Sequence, residues 1–539
     1  MALANMLERS AGRDIFTVLG SGGAGDLLEV SYELRLLGGS SARLTLLGES
    51  AGGLERLREA AAYYGLAGQV EFAGEEPYRS ADVFLCLDGG GEAALLEAMR
   101  RDVPILARDG RVIAAALGGA GLCLRDGSPR EIAAALKLLR ENPGLRRRVL
   151  QSQRRRLAQL GVEVPPALQY RFEGPFDSSY SLAVVNREMA LAMARSGASA
   201  GLYSTEGPGD FPPSADFLAA HPDVAGLWHR TCVPHRCDAV LRNLYPPRVA
   251  GMSGVIHAMN AYGWEESVFP RAYAESFNRH LDVLPVMSRY VAKAMADNGV
   301  KVPVAVVGLG ADHVLALPPK AVGRPLGKCF RFLHVSSCFP RKGVDVLLSA
   351  YGMAFTARDE VTLVIKTFPN PHNTAAEQIR AARAANPDYP DVALIDQDLE
   401  EGQIADLYRN CHALVAPSRG EGFGLPMAEA MLFDLPVITT GYGGQTDFCS
   451  SETAWLIDYR FARAQSHMGL YDSVWAEPDA GHLARLMREV YDASPETVRA
   501  RTERAKAEIM ARYKWSDAAQ RLGEAVRATE TAPMFYPQP

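Results

Sequence analysis

Short apolar runs alternate with longer amphipathic, helical patterns along almost the whole chain of 539 residues. Near-continuous apolar runs such as ARLTLLG, DVFLCLD and VTLVIKT are typical of parallel strands, because helices cover both faces of such a sheet. Regular strand–helix alternation therefore predicts an α/β fold with doubly wound, Rossmann-like sheets. A chain of this length is too long for one hydrophobic core, so several domains are expected.

An internal repeat divides the chain. Residues 80–110 and 410–443 share an apolar strand, a Gly-rich turn, a helix containing Glu-Ala-Met and a second strand. The parallel continues through residues 128–150 and 477–500, each an amphipathic helix followed by a Pro turn and a basic helix. The predicted domains are, in chain order, 1–158, 166–320 and 321–505, followed by a closing helix at 506–530. The first and third are predicted to be copies of one domain.

The composition of the chain limits the partners and the cell compartment that can be expected. The net charge is −6, which argues against nucleic acid as the main partner, since such proteins carry net or clustered positive charge. No apolar run approaches the length of a membrane span, and the first residues lack the apolar core of a signal peptide, so a cytoplasmic protein is expected. The eight cysteines are mostly single and lie in apolar contexts, which predicts reduced core thiols.

The stretch 414–444 is the most informative segment. It holds two carboxylates, Glu421 and Glu429, with seven residues between them that include the turn Gly-Phe-Gly-Leu-Pro. A helix is expected to open at or near Pro426, because proline lacks the N–H group that goes unpaired in a first turn. The free N–H groups and dipole of a helix start favour an anion. The pattern predicts a site for a phosphate-bearing, hydroxyl-rich ligand.

These residues resemble the Glu-x7-Glu signature of retaining glycosyltransferases of family 4, which have the two-lobed GT-B fold. The resemblance covers about residues 160–530 and includes 333–351, similar to the family's phosphate-binding strand–loop–helix, and 304–314, similar to the strand and turn before its linker. It implies an acceptor lobe at 166–320, a donor lobe at 321–505 and, ahead of both, an additional donor-lobe-like domain.

The resemblance also implies an activity. The enzyme would move a hexose or deoxyhexose from a nucleoside diphosphate sugar, GDP slightly preferred over UDP, to a glycan or lipid-linked glycan. It would be retaining and metal-independent and would need no cofactor. The implied setting is bacterial surface polysaccharide such as the O-antigen of lipopolysaccharide, with peripheral contact at the inner membrane or with other assembly enzymes.

Individual roles follow from the same resemblance. Glu421 would hold the transferred sugar and Glu429 the ribose of the donor, although a helix-capping carboxylate and a surface glutamate are the structural alternative. Arg341 and Lys342 would stabilise the departing diphosphate, or form a solvated charge pair at a helix start. The family usually has Gly-Arg where this chain has two serines, so Arg341 would replace the missing cation. The remaining donor contacts implied are Gly174, Ser178, Ser179, Ser337, Gly422, Phe423, Gly424 and Leu425.

Three residues of the middle domain are assigned by analogy. His257 follows a strand where the family often has a histidine near the sugar, and a core or capping histidine is the alternative. Trp264 and Glu265 are candidates for binding acceptor hydroxyls, or belong to a solvated loop. These assignments complete the catalytic and acceptor-binding set that the sequence predicts.

Two other chemistries remain open. The ligand types of a zinc site occur together at His229, Cys232, His235 and Cys237, though no second pair lies at finger distance and an ordinary loop is the alternative. Residues 18–30 match Gly-x-Gly-x-x-Gly between a strand and a helix, with Glu49 after the next strand, which is typical of NAD binding. The repeat instead places a phosphate loop there. A non-catalytic, nucleotide-binding scaffold is a further alternative.

The first copy lacks the reactive residues of the second. Glu97 aligns with Glu429, but Gly89 stands where Glu421 would be and no lysine corresponds to Lys342. A degenerate donor lobe, or the remnant of a tandem enzyme, is predicted. The arginines at 146–148 and 154–156 are predicted to form the solvated face of its last helix, with binding to anionic lipid head groups as the alternative.

Overall fold

The computed structural model divides into two compact units. Unit 1 comprises Met1–Gln169, Cys232–Ala239 and Ser253–Ile256, and unit 2 comprises Tyr170–Thr231, Val240–Met252 and His257–Pro539. The residues that the structure describes are 16–37, 42–47, 58–72, 78, 81–87, 91–108, 110–125, 127–162, 169–205, 211–231, 237–252, 254–323, 326–465 and 468–531.

Unit 1 contains a parallel sheet flanked by helices. Its strands are β1 Phe16–Ser21, β2 Ala42–Leu46, β3 Val70–Phe72, β4 Val83–Cys86, β5 Ile105–Arg108 and β6 Leu122–Leu124. Its helices are α1 Ala24–Leu36, α2 Glu92–Arg100, α3 Arg111–Leu117, α4 Pro129–Glu141 and α5 Pro143–Gln159. The strand order is β3-β2-β1-β4-β5-β6. Val18 and Leu19 belong to different core clusters, so both faces of the sheet are buried, as its apolar strands predict.

The first part of unit 2 is a smaller α/β lobe. Its strands are β7 Gln169–Glu173, β8 Ser199–Tyr203, β9 Ala239–Arg242, β10 Ile256–Met259, β11 Leu284–Val286 and β12 Val304–Val306. Its helices are α6 Ser181–Arg195, α7 Ala215–Ala220, α8 Pro222–His229, α9 Arg271–His280, α10 Arg289–Asp297 and α11 His313–Ala316. The first four strands have the order β10-β9-β7-β8, β11 pairs with β12, and isolated parallel bridges join Ala258 to Val283 and Tyr262 to Val286.

The second part of unit 2 is the larger lobe. Its strands are β13 Phe330–Val335, β14 Val361–Thr367, β15 Asp391–Asp396, β16 Ala413–Ala416, β17 Val437–Thr440, β18 Trp455–Ile457, β19 Tyr459–Arg463 and β20 Val474–Pro478. Its helices are α12 Val344–Ala354, α13 Ala375–Ala385, α14 Glu401–Asn410, α15 Leu425–Leu432, α16 Ala480–Asp492, α17 Pro495–Arg512 and α18 Trp515–Thr531. The main sheet has the order β15-β14-β13-β16-β17-β18, and β19 and β20 form an antiparallel hairpin.

The sheets of unit 1 and of the larger lobe share one strand order, in which the first strand lies between the second and the fourth. This is the order of doubly wound Rossmann-like folds, and it is what the internal repeat predicts. In such a sheet the ligand crevice lies where the strand order reverses, between β13 and β16 in the larger lobe. The α/β fold class, a Rossmann-like sheet ahead of the two lobes of a GT-B fold, is confirmed.

The last helix, α18, returns to the smaller lobe. It packs on α6, and the Arg521 Nε–H donates to the carbonyl of Val307 at 2.7 Å. At its start the Trp515 backbone N–H donates to Asp312 at 2.8 Å. A Cβ atom at Gly310 would lie 2.2 Å from the Trp515 backbone nitrogen, so the close approach requires glycine. These contacts join the end of the chain to the β12–α11 connection.

Two sequence expectations about polar residues are wrong. Cys237 is disulfide-bonded, whereas reduced thiols were expected throughout; single spacing in sequence does not show which cysteines come within bonding range. The described arginines of α5 are not simply a solvated face. Arg146 is 8% exposed and donates to the carbonyl of Leu139, and Arg154 pairs with Asp102 at 2.9 Å, because these guanidinium groups complete the packing of unit 1.

Among the residues that the structure describes, we find no helix that is both long enough and apolar enough to cross a membrane.

Candidate functional site

Glu421 lies in the loop between β16 and α15, at the C-terminal edge of the larger-lobe sheet. It is 6% exposed, and its Oε1 atom accepts hydrogen bonds from the Lys342 ammonium at 2.6 Å and the Ser418 hydroxyl at 2.7 Å. The loop enters the helix at Gly424, whose φ of +90° lies in the left-handed region that favours glycine. The sequence prediction that a helix opens here, with Glu421 just outside it, is confirmed.

Two cations keep Glu421 ionised. Burial raises the pKa of this carboxyl, but Lys342 and Arg341 outweigh burial and lower the pKa below its ordinary value. The Arg341 Nη1 atom lies 4.0 Å from Glu421 Oε2. Lys342 is partly buried, and burial followed by Arg341 lowers the pKa of its ammonium. The Glu421–Lys342 pair is thus a charge arrangement shielded from water, and each ion stabilises the other.

The two cations sit on a short turn, Pro340–Lys342, between β13 and α12. Gly343 follows with φ of +68°, and a Cβ atom there would lie 2.1 Å from the carbonyl oxygen of Pro417. Glycine is therefore required for the turn to lie against the loop that carries Glu421. The structure brings Arg341 and Lys342 to the start of a helix, as the sequence predicts, and the carboxylate between them excludes a merely solvated charge pair.

The serines that stand where a cation was expected organise the turn instead. The Ser336 hydroxyl accepts the Cys338 N–H at 3.0 Å and lies 2.8 Å from His334 Nε2. The Ser337 carbonyl accepts an N–H from Asn370 at 2.9 Å. Burial lowers the pKa of His334 to about 4, so this histidine is neutral at pH 7. Ser337 thus lies at the crevice without bringing a charge to it.

Arg419 fixes the loop before Glu421, and the sequence analysis did not single it out. Its guanidinium binds Asp345 with two hydrogen bonds of 2.8 and 2.7 Å and Glu477 with two of 2.7 Å. It also donates to the Pro340 carbonyl at 2.6 Å. The only sequence signal is an arginine inside an otherwise apolar and Gly-rich loop. Arg419 therefore ties the Glu421 loop to the turn that carries the cations.

The residues between the two glutamates hold the loop through backbone and packing. The Ser288 hydroxyl donates to the Gly422 carbonyl at 2.6 Å. Phe423 is 3% exposed, its ring packs 5.2 Å from that of Phe448, and Leu425 is buried. Side chains here face the core, which leaves the backbone of the loop for a ligand. The donor contacts that the family resemblance implies for Gly422, Phe423, Gly424 and Leu425 stay predictions.

Trp264 and Glu265 lie beside the Glu421 loop but differ in role. The ring of Trp264 is 2% exposed and its indole N–H donates to the Val268 carbonyl, so neither acceptor binding by the ring nor a solvated loop describes it. The Glu265 carboxylate pairs with Arg341 Nη2 at 3.1 Å. The expectation for Trp264 is corrected because its ring fills the core, whereas Glu265 joins the cation cluster.

Glu429 is buried one turn inside α15, 7% exposed. The Tyr408 hydroxyl donates to its Oε2 atom at 2.7 Å, and burial raises the pKa of Glu429 to about 7. His313 Nε2 lies 3.5 Å from Oε1. The Trp515 indole, a donor only, points at His313 Nδ1 at 3.1 Å, so the proton of this neutral imidazole is assigned to Nε2 and faces Glu429. The carboxyl is therefore surrounded by donors and by no cation among its described contacts.

The turn after β7 approaches strand β9 closely. A Cβ atom at Gly174, where φ is +150°, would lie 2.2 Å from the Asn243 carbonyl oxygen. Arg187 of α6 donates to the Ser178 carbonyl at 2.7 Å and forms an ion pair with Glu401 of the larger lobe. Ser179 is exposed. The turn is thus held rigid at Gly174 and Ser178, while the donor contacts expected of these three residues stay predictions.

His257 is placed among different residues. It is 5% exposed, its Nδ1 atom lies 3.1 Å from the His280 carbonyl oxygen, and its backbone N–H donates to Asp282 at 2.8 Å. These contacts are those of the core or capping histidine that the sequence left as the alternative. The hydrogen bonds of His257 do not join it to the Glu421–Lys342 pair, and its catalytic role stays a prediction.

Among the described residues, neither the zinc site nor the NAD site is complete. Of the four zinc candidates, Cys232 and His235 lie outside the described residues, and Cys237 is disulfide-bonded, which removes its thiolate as a ligand. Across the described ranges no group of three or more His, Cys, Asp or Glu side chains could hold a metal ion. The glycine loop of residues 18–30 does join β1 to α1, but Glu49 lies outside the described residues.

In unit 1, the first copy of the repeated domain, the glutamate of the matching helix α2 has different surroundings. Glu97 of α2 pairs with Arg101 at 2.8 Å on a half-exposed surface, whereas Glu429 is buried. Gly89 lies outside the described residues. The fold of the donor-lobe-like domain is present in unit 1, but its glutamate is in an ordinary surface ion pair.

Comparison with known proteins assigns part of the chain. Residues 272–522, just under half of it, match the family model described as a family 4 glycosyltransferase in conflict systems. The chain is 30% identical over 155 residues to a lipopolysaccharide core biosynthesis mannosyltransferase, LpcC, of Rhizobium leguminosarum, covering 27% of this chain and 43% of LpcC. It is 27% identical over 198 residues to a D-inositol 3-phosphate glycosyltransferase of Streptomyces avermitilis, covering 36% and 38%. The chain thus spans less than half the length of these curated relatives.

The chain is also similar in fold to solved structures of low sequence identity. A sucrose-phosphate synthase from Thermosynechococcus elongatus has a TM-score of 0.49 at 17% identity and covers 67% of this chain and 98% of that one. HepE of Anabaena, in complex with UDP-glucose, has a TM-score of 0.47 at 15% identity and covers 67% and 100%. The family model confirms the resemblance seen in the sequence: the residues that it matches, 272–522, include the Glu421–Lys342 pair and Glu429.

Proposed function

We propose that the chain is a retaining, metal-independent glycosyltransferase that moves a hexose or deoxyhexose from a nucleoside diphosphate sugar to a glycan hydroxyl. The observation that carries this proposal is the buried Glu421–Lys342 pair, 2.6 Å long, at the reversal point of the larger-lobe sheet. A cation cluster suits a departing diphosphate, and a carboxylate suits sugar hydroxyls. Both are needed when a sugar–phosphate bond breaks.

Without a ligand, Glu421 and Lys342 bind each other instead of the donor. In the unliganded site Lys342 neutralises Glu421, and Arg341 neutralises Glu265 at 3.1 Å. An incoming diphosphate would draw Lys342 and Arg341 toward its oxygens. Glu421 would then accept hydrogen bonds from the hydroxyls of the transferred sugar. The negative charge of the diphosphate then takes the place of the two carboxylates beside Lys342 and Arg341, so both cations remain neutralised.

The chemical step is a front-face substitution. The bond from the anomeric carbon to the donor phosphate breaks as the bond to the acceptor oxygen forms on the same face. The acceptor proton passes to the leaving phosphate oxygen, which becomes part of the nucleoside diphosphate product. Lys342, Arg341 and the N-terminus of α12 stabilise the charge on that product, so the step needs no metal ion. Removing one such group lowers turnover by roughly 10²–10³.

The names of similar proteins support the identity of the substrates. A GDP-linked donor, slightly preferred over UDP, and a role in surface polysaccharide are in line with the printed name of LpcC, a mannosyltransferase of lipopolysaccharide core biosynthesis. HepE was crystallised with UDP-glucose. The matching family model is described by conflict systems, a different setting. We propose a cytoplasmic enzyme, peripheral at the inner membrane, that acts on a glycan or lipid-linked glycan.

A nucleotide panel tests the proposed function against its alternatives. Unfolding of the whole chain is measured by calorimetry with GDP, UDP, ADP and NAD, which detects stabilisation of either unit. Tryptophan emission then identifies the transition of unit 2, because all five tryptophans lie between residues 228 and 515. We expect stabilisation by GDP or UDP and loss of it in Lys342→Met. Stabilisation by NAD alone would overturn the proposal. Nucleotide binding without sugar transfer to any of a panel of oligosaccharides would instead indicate the scaffold.

A further inference from the structure

Lys366 is a mostly buried lysine whose ammonium has no hydrogen-bond or ion-pair partner among the described residues. It is the penultimate residue of β14 and is 6% exposed. Its ammonium lies 5.7 Å from the centre of the Phe368 ring. Burial lowers the pKa of this ammonium, and Asp398, Cys338 and Asp396 act against burial. The side chain is thus mostly buried while its ammonium, unpaired among the described residues, stays open to an anion from outside the chain.

The position of Lys366 connects it to the donor crevice. Strands β13 and β14 are parallel neighbours, and Lys366 is in register with Val335, the last residue of β13. The Lys366 carbonyl accepts the N–H of Ser336 at 3.1 Å. The side chain therefore emerges at the C-terminal edge of the sheet, where ligands of open α/β sheets bind. It does so directly beside the two serines, the place where a cation is missing.

The surroundings enclose the ammonium rather than neutralise it. The Asn370 side chain joins the segment after β14 to the Ser337 carbonyl at 2.9 Å. On the other side, Asp396 and Asp398 at the end of β15 are exposed and lie outside ion-pair range of Lys366. Lys366 therefore lies at the same edge of the sheet as Lys342, which follows the neighbouring strand, and Glu421, which follows the strand after that.

We propose that Lys366 binds a phosphate group of the nucleoside diphosphate and supplies, from the neighbouring strand, the cation that Ser336 and Ser337 do not. This rests on the proposed function, since it names a second phosphate contact for the same donor. Arg341, which pairs with Glu265 in the unliganded site, acts from the same turn as Lys342, so Lys366 adds a further cation from the neighbouring strand. The diphosphate lies between Lys342 on one strand connection and Lys366 on the next.

Binding of UDP, GDP, uridine and inorganic pyrophosphate by calorimetry tests the proposal. Three variants are compared with the unmodified chain: Lys366→Met, Lys366→Arg and the surface control Lys301→Met, which removes the same charge from an exposed position. We expect Lys366→Met to weaken UDP and GDP about ten- to a hundredfold and to weaken pyrophosphate similarly, as loss of a hydrogen bond to a charged group implies. Uridine binding should stay unchanged, Lys366→Arg should restore most of the affinity, and Lys301→Met should have no effect.

The melting temperature separates binding from folding. Without ligand, Lys366→Met should melt no lower than the unmodified chain, because methionine removes an unpaired buried charge. Unchanged nucleotide affinity in Lys366→Met would overturn the inference alone, and equal weakening of uridine and UDP would assign Lys366 to the nucleoside rather than to phosphate. A chain that binds neither UDP nor GDP overturns the proposed function as well, so the two failures are distinct.

Discussion

Glu429 links the stability of the site to pH, and Glu429→Gln tests this link. Burial raises the pKa of Glu429 from 4.5 to about 7. Because the folded protein holds this proton more tightly than the unfolded chain, folding is favoured below pH 4.5, and the advantage is lost as pH rises through 7. The difference between the two pKa values corresponds to about 3 kcal/mol at most. Glutamine keeps the shape and the acceptor for the Tyr408 hydroxyl but does not ionise.

The assay is thermal unfolding of both proteins from pH 5 to pH 8.5, followed by tryptophan emission. At pH 5 the two proteins should melt within a degree or two of each other. Above pH 7.5 the variant should be the more stable, by up to about 3 kcal/mol. Binding of GDP or UDP should weaken in the variant, since an amide is a poorer acceptor for ribose hydroxyls than a carboxylate. A stability difference that does not change with pH would refute the burial argument.

Two further substitutions test the positioning of the site. Arg419→Lys should lower the melting temperature and turnover together, because lysine cannot reproduce the double hydrogen bonds to Asp345 and Glu477. These bonds are partly exposed, so the loss of stability should be about 1–3 kcal/mol, and unchanged turnover would show that the loop keeps its position without them. Glu97→Gln in unit 1 should leave turnover unchanged and lower stability by less than about 1 kcal/mol, since the pair that Glu97 makes with Arg101 lies on the surface. A large loss of activity would give unit 1 a catalytic role.

The sequence predicts the elements that depend on local pattern. The parallel strands, the repeated strand order and the helix opening at Leu425 follow from apolar runs, glycines and a proline. The family signature assigns Glu421 and Lys342 to one donor site, whereas their direct hydrogen bond is seen only in the structure. The hairpin of β19 and β20 is not predicted, because its first strand is arginine-rich and mostly exposed and so lacks the pattern of a buried strand.

The groups that tune the site are harder to predict. Tyr408 and His313 reach Glu429 from two different helices, and the proton on His313 is set by Trp515 of the last helix. Each contact depends on how distant elements pack, and no local spacing encodes it. Arg419 and Lys366 are ordinary charged residues in the sequence. Their burial in the structure shows that Arg419 holds its loop in place and that Lys366 is a candidate to bind an anion.

Sugar transfer by the unmodified chain and by Glu421→Gln tests the central claim most directly. Nucleoside diphosphate release from GDP- and UDP-sugars is followed with a panel of oligosaccharide acceptors, and the anomeric configuration of the product is read by NMR. The account predicts a product with the anomeric configuration of the donor from the unmodified chain and turnover reduced by at least about 10²-fold in the variant. Equal turnover in both proteins, or a product of inverted configuration, would contradict it.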